Sequence, residues 1–344
     1  MCGMAKTMPQ TNNALSIMIT QDDIRQAQQR LRGVAARTPL VAFEEEGRRL
    51  WLKPESFQPI GSFKLRGAYN KIASLAEEER RRGVITYSSG NHAQGVAYSA
   101  RALGAKAVVV MPRKAPVIKI EATKALGAEI VPVGPTSAER QARAEELATQ
   151  HGYVIIPPFN DEKIIAGQGT AGLEIVEDLP EIELVLVPVG GGGLISGVAT
   201  AVKLLRPQAK VIGVEPELAA DAQASLRAGK IVSWPGEKVG RTLADGLRTQ
   251  SVGEINFEHI RRYVDDIVTV SEDEIREAMR RLALGARLVA EPSGAVTSAA
   301  FFFHSEELPP SQKSVAIISG GSVEPQLLAS VLDGGWLEAT VSAD

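Results

Sequence analysis

The chain has 344 residues, 44% of them hydrophobic and 23% charged, with a formal net charge of -3 at pH 7. That balance supplies no basic field to gather nucleic acid or an anionic membrane, and the length suits a two-domain globular enzyme acting on a small molecule. With no apolar run approaching about 18 residues, no secretory-type leader and a single cysteine, Cys2, a cytoplasmic protein without internal disulfides is expected.

Residues 1–16 mix Met, Thr, Asn and Gln without a period and read as a disordered leader. From Thr20 the segment TQDDIRQAQQRLRG predicts a helix: a capping threonine, acids in the first turn, apolar Ile24, Ala27 and Leu31, and a stop at Gly33. Short apolar runs then alternate with helical patterns, GVITYSS with AQGVAYSARALG, KAVVVMP with PVIKIEATKALG, and EIVPV with SAERQARAEELATQHG. The second half repeats the theme with LVLVPVGGGG before LISGVATAVKLL, then AKVIGVEP, a charged helix from Ser271, and SVAIISGG. Runs of Val and Ile without polar alternation imply strands buried on both faces, hence parallel sheets covered by helices and an α/β architecture. Histidines at 92, 151, 259 and 304 are too scattered to suggest a zinc cluster.

Four loops carry candidate chemistry. In Ser62-Phe63-Lys64-Leu65-Arg66-Gly67 a lysine sits in apolar company. Desolvation lowers the pKa of such an amine and frees it to attack an aldehyde, although most lysines are solvated surface charges. Gly190, Gly191, Gly192 and Gly193 precede Leu194 between an apolar strand and a helix, so several N–H groups and a helix N-terminus can meet a phosphate. The run matches neither G-x-G-x-x-G nor the Walker pattern, which disfavours dinucleotides and ATP. Ser88, Ser89, Gly90, Asn91 and His92 start a helix, where they can cap it or grip a carboxylate. Ser319, Gly320, Gly321 and Ser322 end a strand, either as an ordinary turn or where open parallel sheets place ligands.

In this order and spacing the loops resemble fold-type II pyridoxal-phosphate (PLP) enzymes, which are tryptophan synthase β-like, and within them the threonine/serine dehydratase and serine racemase family. The resemblance spans residues 20 to 330 and rests on SFKLRGA, SSGNHAQG, AGQGTAGLEI, PVGGGGLISG, ADGLRT, EPSGA and ISGGS. It implies two open parallel-sheet domains flanked by helices: a large PLP-binding domain from 17–82 with 162–335, and a small domain, 83–161, inserted in it. Lys64 then corresponds to the Schiff-base lysine, Phe63 to the residue on the pyridine ring, and Asn91 to the partner of the 3′-oxygen. Gly190, Gly191, Gly192, Gly193 and Leu194 correspond to the phosphate cradle, and Ser319 to the partner of the ring nitrogen. A serine there need not keep that nitrogen protonated, which favours expulsion of a β-leaving group.

The same resemblance gives Ser88, Ser89, Asn91 and His92 to the substrate carboxylate, with Ser89 also handling a proton on the opposite face in the racemase branch. Glu215, the Ala219 carbonyl and Asp221 resemble the divalent-cation site of the serine-racemase-like members, which implies oxygen ligands suited to Mg2+, Ca2+ or Mn2+, although acids at a helix start also suit its dipole. The implied reaction removes water and then ammonia from L-threonine or L-serine, giving a 2-oxo acid and ammonium, and the implied assembly is a homodimer. A serine racemase and a threo-3-hydroxyaspartate ammonia-lyase are the alternatives within the family; a PLP-binding sensor without turnover is the alternative outside it. The racemase branch carries an arginine in the segment matching Pro135 to Arg140, here PTSAER, which leaves a second acidic group on the substrate open.

Overall fold

The computed structural model describes residues 18–334 apart from 46, 89, 116 and 135. The expected leader, residues 1–16, lies outside the described residues. The first helix, α1 (Gln21–Leu31), starts at Thr20, whose hydroxyl accepts the Asp23 N–H while the Asp23 carboxylate accepts the Thr20 N–H. This reciprocal cap and the buried Ile24, Ala27 and Leu31 are what the sequence pattern requires.

Next come β1 (Val41–Glu45), β2 (Arg48–Pro54), α2 (Lys64–Ala73) and α3 (Glu77–Arg82). A run of alternating elements follows: β3 (Val84–Thr86), α4 (Asn91–Ala102), β4 (Ala107–Pro112), α5 (Val117–Ala125), β5 (Glu129–Val133), α6 (Ser137–His151) and β6 (Val154–Ile155). These strands form an all-parallel sheet of order β5-β4-β3-β6. Its core joins Val84, Val109 and Met111 to Val96, Ala97 and Ala100 of α4.

After α7 (Glu162–Asp178) the chain builds β7 (Leu184–Pro188), α8 (Gly193–Leu205), β8 (Lys210–Pro216), α9 (Asp221–Ala228), α10 (Gly236–Val239), α11 (Glu254–Tyr263) and β9 (Asp266–Val270). The last elements are α12 (Glu272–Arg281), α13 (Pro292–Phe303), β10 (Ser314–Ile318) and α14 (Pro325–Asp333). The second sheet has the order β1-β2-β10-β7-β8-β9, parallel except for the β1/β2 pair. Strands β7 and β10 are buried along their whole length, with α8 among the apolar groups on one face and α12 and α13 on the other.

Behind the site lies a buried ionic network. Arg66 of α2 donates to Glu55 (2.7 and 2.8 Å), Glu174 (2.7 and 2.8 Å) and Thr170 (3.1 Å), while Lys53 donates to Glu174 at 2.6 Å. Satisfied charges of this kind tie β2, α2 and α7 into one register, because a misregistered chain leaves buried carboxylates unpaired. No helix among the described residues is long and apolar enough to cross a membrane.

Candidate active site

The loops after β3, β7 and β10 converge, each at the carboxyl end of its strand, on a cavity of about 450 Å³. Its lining includes Phe63, Lys64, Ser88, Asn91, His92, Leu194 and Ser319, together with Gly190, Gly191, Gly192 and Gly193. The sequence-derived candidates of four separate loops therefore share one wall-to-wall space. Ser89 lies outside the described residues.

Lys64 is the first residue of α2, at the positive end of the helix dipole, and its Nζ donates to the Pro158 carbonyl at 2.9 Å. Burial lowers its pKa to about 8, against the opposing pull of Glu291. An amine so placed is available in its free form near neutral pH. The Phe63 ring centroid lies 5.2 Å from that nitrogen.

The glycine run forms the other wall. Gly192 has φ +93°, and a Cβ there would lie 2.8 Å from Asn256 Cβ, so a side chain is excluded by both backbone and neighbour. At Gly191 a Cβ would overlap the Phe159 ring. Gly192 is also the residue that opens α8, so the bare backbone presents the free N–H groups of a helix N-terminus to the cavity. An anion of phosphate type fits such a cradle without a side-chain cation.

On the β3–α4 loop, Ser88 Oγ accepts the Gly90 N–H at 3.4 Å and Asn91 Nδ2 donates to Glu291 Oε1 at 2.7 Å. His92 lines the cavity as well. Its Nε2 lies 3.0 Å from the Ile156 carbonyl, which can only accept, so the proton is on Nε2 and Nδ1 is buried without a partner. Burial and the nearby Lys64 lower its pKa to about 3, so the ring is neutral, with its one N–H on the Ile156 carbonyl. Ser319 Oγ donates to the Ser293 carbonyl at 3.2 Å, and its own carbonyl accepts the Phe63 N–H at 3.0 Å, which ties the strand end to the start of α2.

Charged residues without an assigned role from sequence also line the cavity. Glu291 is almost completely buried, and burial with the neighbouring Asp245 carboxylate raises its pKa to about 8. Asp245 pairs with Lys119 of α5, a contact that joins the two sheets' elements at the cavity. Glu291 and Asp245 lie in EPSGA and ADGLRT, so their motifs were visible while their chemistry was not. Arg140 lines the same cavity, and burial lowers its pKa.

Away from this cavity, Glu215 at the end of β8, Ala219 and Asp221 at the start of α9 are all fully buried. Glu215 accepts the N–H groups of Ala222 (3.0 Å) and Gln223 (2.8 Å), whereas both Asp221 carboxylate oxygens are buried without a hydrogen-bond partner. Burial, then the Asp221 charge, raises the Glu215 pKa well above the usual carboxylate range, and burial raises Asp221 to about 7. Unpartnered buried oxygens of this hard type fit a divalent cation. Among the described residues no group of three or more His, Cys, Asp or Glu side chains gathers for a metal, so a cation here depends on a backbone carbonyl and water as well.

The family described as "Pyridoxal-phosphate dependent enzyme" matches residues 31–320. The chain belongs to this family. Within it, the chain is 46% identical to an L-threonine ammonia-lyase of Thermotoga maritima, over 94% of this chain and 80% of that protein. It is 39% identical to an L-threo-3-hydroxyaspartate ammonia-lyase of Saccharomyces cerevisiae, over 92% of this chain and 98% of that one. Among solved structures, maize serine racemase superposes with a TM-score of 0.86 at 36% identity, covering 93% of this chain and 98% of that one. The fold is therefore fold-type II, and the expected cofactor, pyridoxal 5′-phosphate, is that of the family.

Proposed function

We propose that the protein is a PLP-dependent ammonia-lyase that converts L-threonine, L-serine or a closely similar hydroxy amino acid to a 2-oxo acid and ammonium. The observation that carries this reading is the half-buried Lys64, whose amine shares its cavity with the four-glycine start of α8. When bound, the cofactor supplies the electron sink that lets a Cα proton leave and a β-hydroxyl be expelled.

The chain's own residues do the rest. Lys64 would hold the cofactor through its amine, and the same amine, as a free base, would take the Cα proton. The N–H groups at Gly190 to Gly193 and Leu194 would hold the phosphate, Phe63 would pack on the ring, and Asn91 would donate to the phenolic oxygen. Ser319 would partner the ring nitrogen through the hydroxyl that here donates to the Ser293 carbonyl. Ser88, Ser89 and the adjacent backbone N–H groups, that of Asn91 among them, would take the substrate carboxylate, with the neutral His92 packed beside them. The fit of the catalytic lysine is supported by the lowered pKa, that of the cradle by the positive φ at Gly192.

The same reading divides the chain into a large domain, 17–82 with 162–335, and a small one, 83–161, with the site in their cleft. Glu215, Asp221 and the Ala219 carbonyl would hold Mg2+ or a similar hard cation, supported by the unpartnered Asp221 oxygens. Cytoplasmic location, homodimer assembly and the absence of nucleic-acid or membrane partners belong to this reading too, on the formal net charge of -3 and the family's habit. Lys119 and Arg140 in the cavity keep a second reading, 3-hydroxyaspartate as substrate, because either cation can meet a second carboxylate.

The test is to incubate the PLP-loaded protein separately with L-threonine, L-serine, D-serine and threo-3-hydroxyaspartate, with and without Mg2+. Release of 2-oxo acid and the enantiomer ratio are followed together. Keto-acid formation from L-threonine or L-serine supports the proposal, and enantiomer exchange outpacing it replaces the lyase with a racemase.

A further inference from the structure

Glu291 is a carboxyl in the cavity wall that the reaction described above does not use. Its backbone N–H donates to the Gly320 carbonyl at 3.0 Å, which anchors it to the turn that carries Ser319. Its side chain lies against the same turn so closely that a Cβ on Gly320 would overlap Oε1. Oε1 accepts from Asn91 Nδ2 at 2.7 Å, across 200 residues of sequence. The other charged groups that face it are Lys64 from α2, Lys119 from α5 and Asp245 beside α13.

A carboxamide has one acceptor and two donors, and nothing in its shape decides which end points where. An oxygen held so that it accepts, as Glu291 Oε1 is against the Gly320 turn, decides it. We propose that Glu291 is the positioning residue for Asn91: its carboxyl engages one N–H of the carboxamide, fixes which way round the amide lies, and leaves the second N–H for the cofactor's phenolic oxygen. The inference rests on the reading that Asn91 serves that oxygen. Burial and Asp245 favour the protonated carboxyl at neutral pH, so Glu291 supplies the acceptor without placing a full negative charge beside a phenolate.

The test compares PLP-loaded wild type with Asn91→Ala, Glu291→Ala, Glu291→Gln and the Asn91→Ala/Glu291→Ala double variant. The readouts are the cofactor's visible absorbance band and the PLP dissociation constant, obtained by titrating cofactor-free protein. The proposal expects Asn91→Ala to shift the band and weaken PLP by roughly tenfold, the net value of one hydrogen bond. Glu291→Ala reproduces both effects, Glu291→Gln, which keeps a neutral acceptor, restores the wild-type band, and the double variant is no worse than either single one.

A wild-type band and affinity in Glu291→Ala, with Asn91→Ala shifted, overturn the positioning role and leave the Asn91 reading standing. Wild-type behaviour in both single variants overturns the two together. Should Glu291→Ala fail to fold, Glu291→Met, of similar volume and without an oxygen, carries the same comparison.

Discussion

The Lys64 amine and the Pro158 carbonyl, 94 residues apart in sequence, meet at 2.9 Å. The bond ties the first turn of α2 to the loop that follows β6, so the reactive nitrogen is held by backbone and not by a mobile side chain. Its pKa of about 8, against 10.5 for an ordinary lysine, sets a sign. Below pH 8 the protonated form, which cannot attack, predominates and the free fraction shrinks with each unit; above it the free amine predominates. The rate of PLP capture by cofactor-free protein is expected to rise about tenfold per pH unit below 8 and level off above it, as for any nucleophilic amine. Stopped-flow absorbance between pH 6 and pH 11 checks this, and a midpoint near 10.5 would show a solvated lysine.

The glycine cradle predicts a defect in cofactor retention. Gly192→Ala places a Cβ in the left-handed region and against Asn256, so about 1–2 kcal/mol of strain is added to the crowding. Weaker PLP binding by tenfold or more is expected, with a lower Tm. Equilibrium dialysis and thermal unfolding with excess PLP read the two separately.

If Glu215, Ala219 and Asp221 hold a cation as proposed, Asp221 sets the response to divalent cations. Mg2+ at about one hundred times its Kd adds about 2.7 kcal/mol to a protein that binds it only when folded. Wild type is expected to show a Tm that rises with Mg2+ and falls with chelator, and Asp221→Asn is expected to lose that dependence. Scanning calorimetry with and without Mg2+ decides it; an unchanged Mg2+ response in Asp221→Asn moves the cation elsewhere.

Arg66 is the hub of the buried ionic network, and Arg66→Met leaves Glu55 and Glu174 with Lys53 as the remaining cation among the contacts of that network. A loss of about 3–5 kcal/mol is expected, because uncompensated buried carboxylates remain. Urea unfolding measures it. A change under about 1 kcal/mol would mean that water or a shift in protonation relieves the site.

The parts of the site that were legible are those whose chemistry is local. A strand-to-helix loop with four glycines, or with Ser88, Ser89 and Asn91 at a helix start, announces its N–H groups and hydroxyls within a few residues, and the alternating apolar runs announce the parallel sheets around them. Illegible were the contacts made by folding. The His92 proton goes to Ile156, 64 residues on, and the Asn91 amide goes to Glu291, 200 residues on; neither partner has a local signal. Arg66 stood inside the SFKLRG motif, yet its partners Glu55 and Glu174 come from either side in sequence, so its structural role was hidden behind the lysine next but one to it. After α12 the chain makes a π-helical turn at Leu282–Ala286 and puts Arg287 at φ 57°, a distortion that the pattern RLALGARL does not show.

The most direct measurement of the central claim is 2-oxobutyrate release from L-threonine by the PLP-loaded protein, beside a Lys64→Ala variant prepared in the same way. The account predicts turnover by wild type and a loss of more than about a hundredfold in the variant, the scale of a removed general base. Turnover that survives Lys64→Ala, or a wild type that binds PLP and leaves L-threonine, L-serine and 3-hydroxyaspartate unchanged, would contradict it.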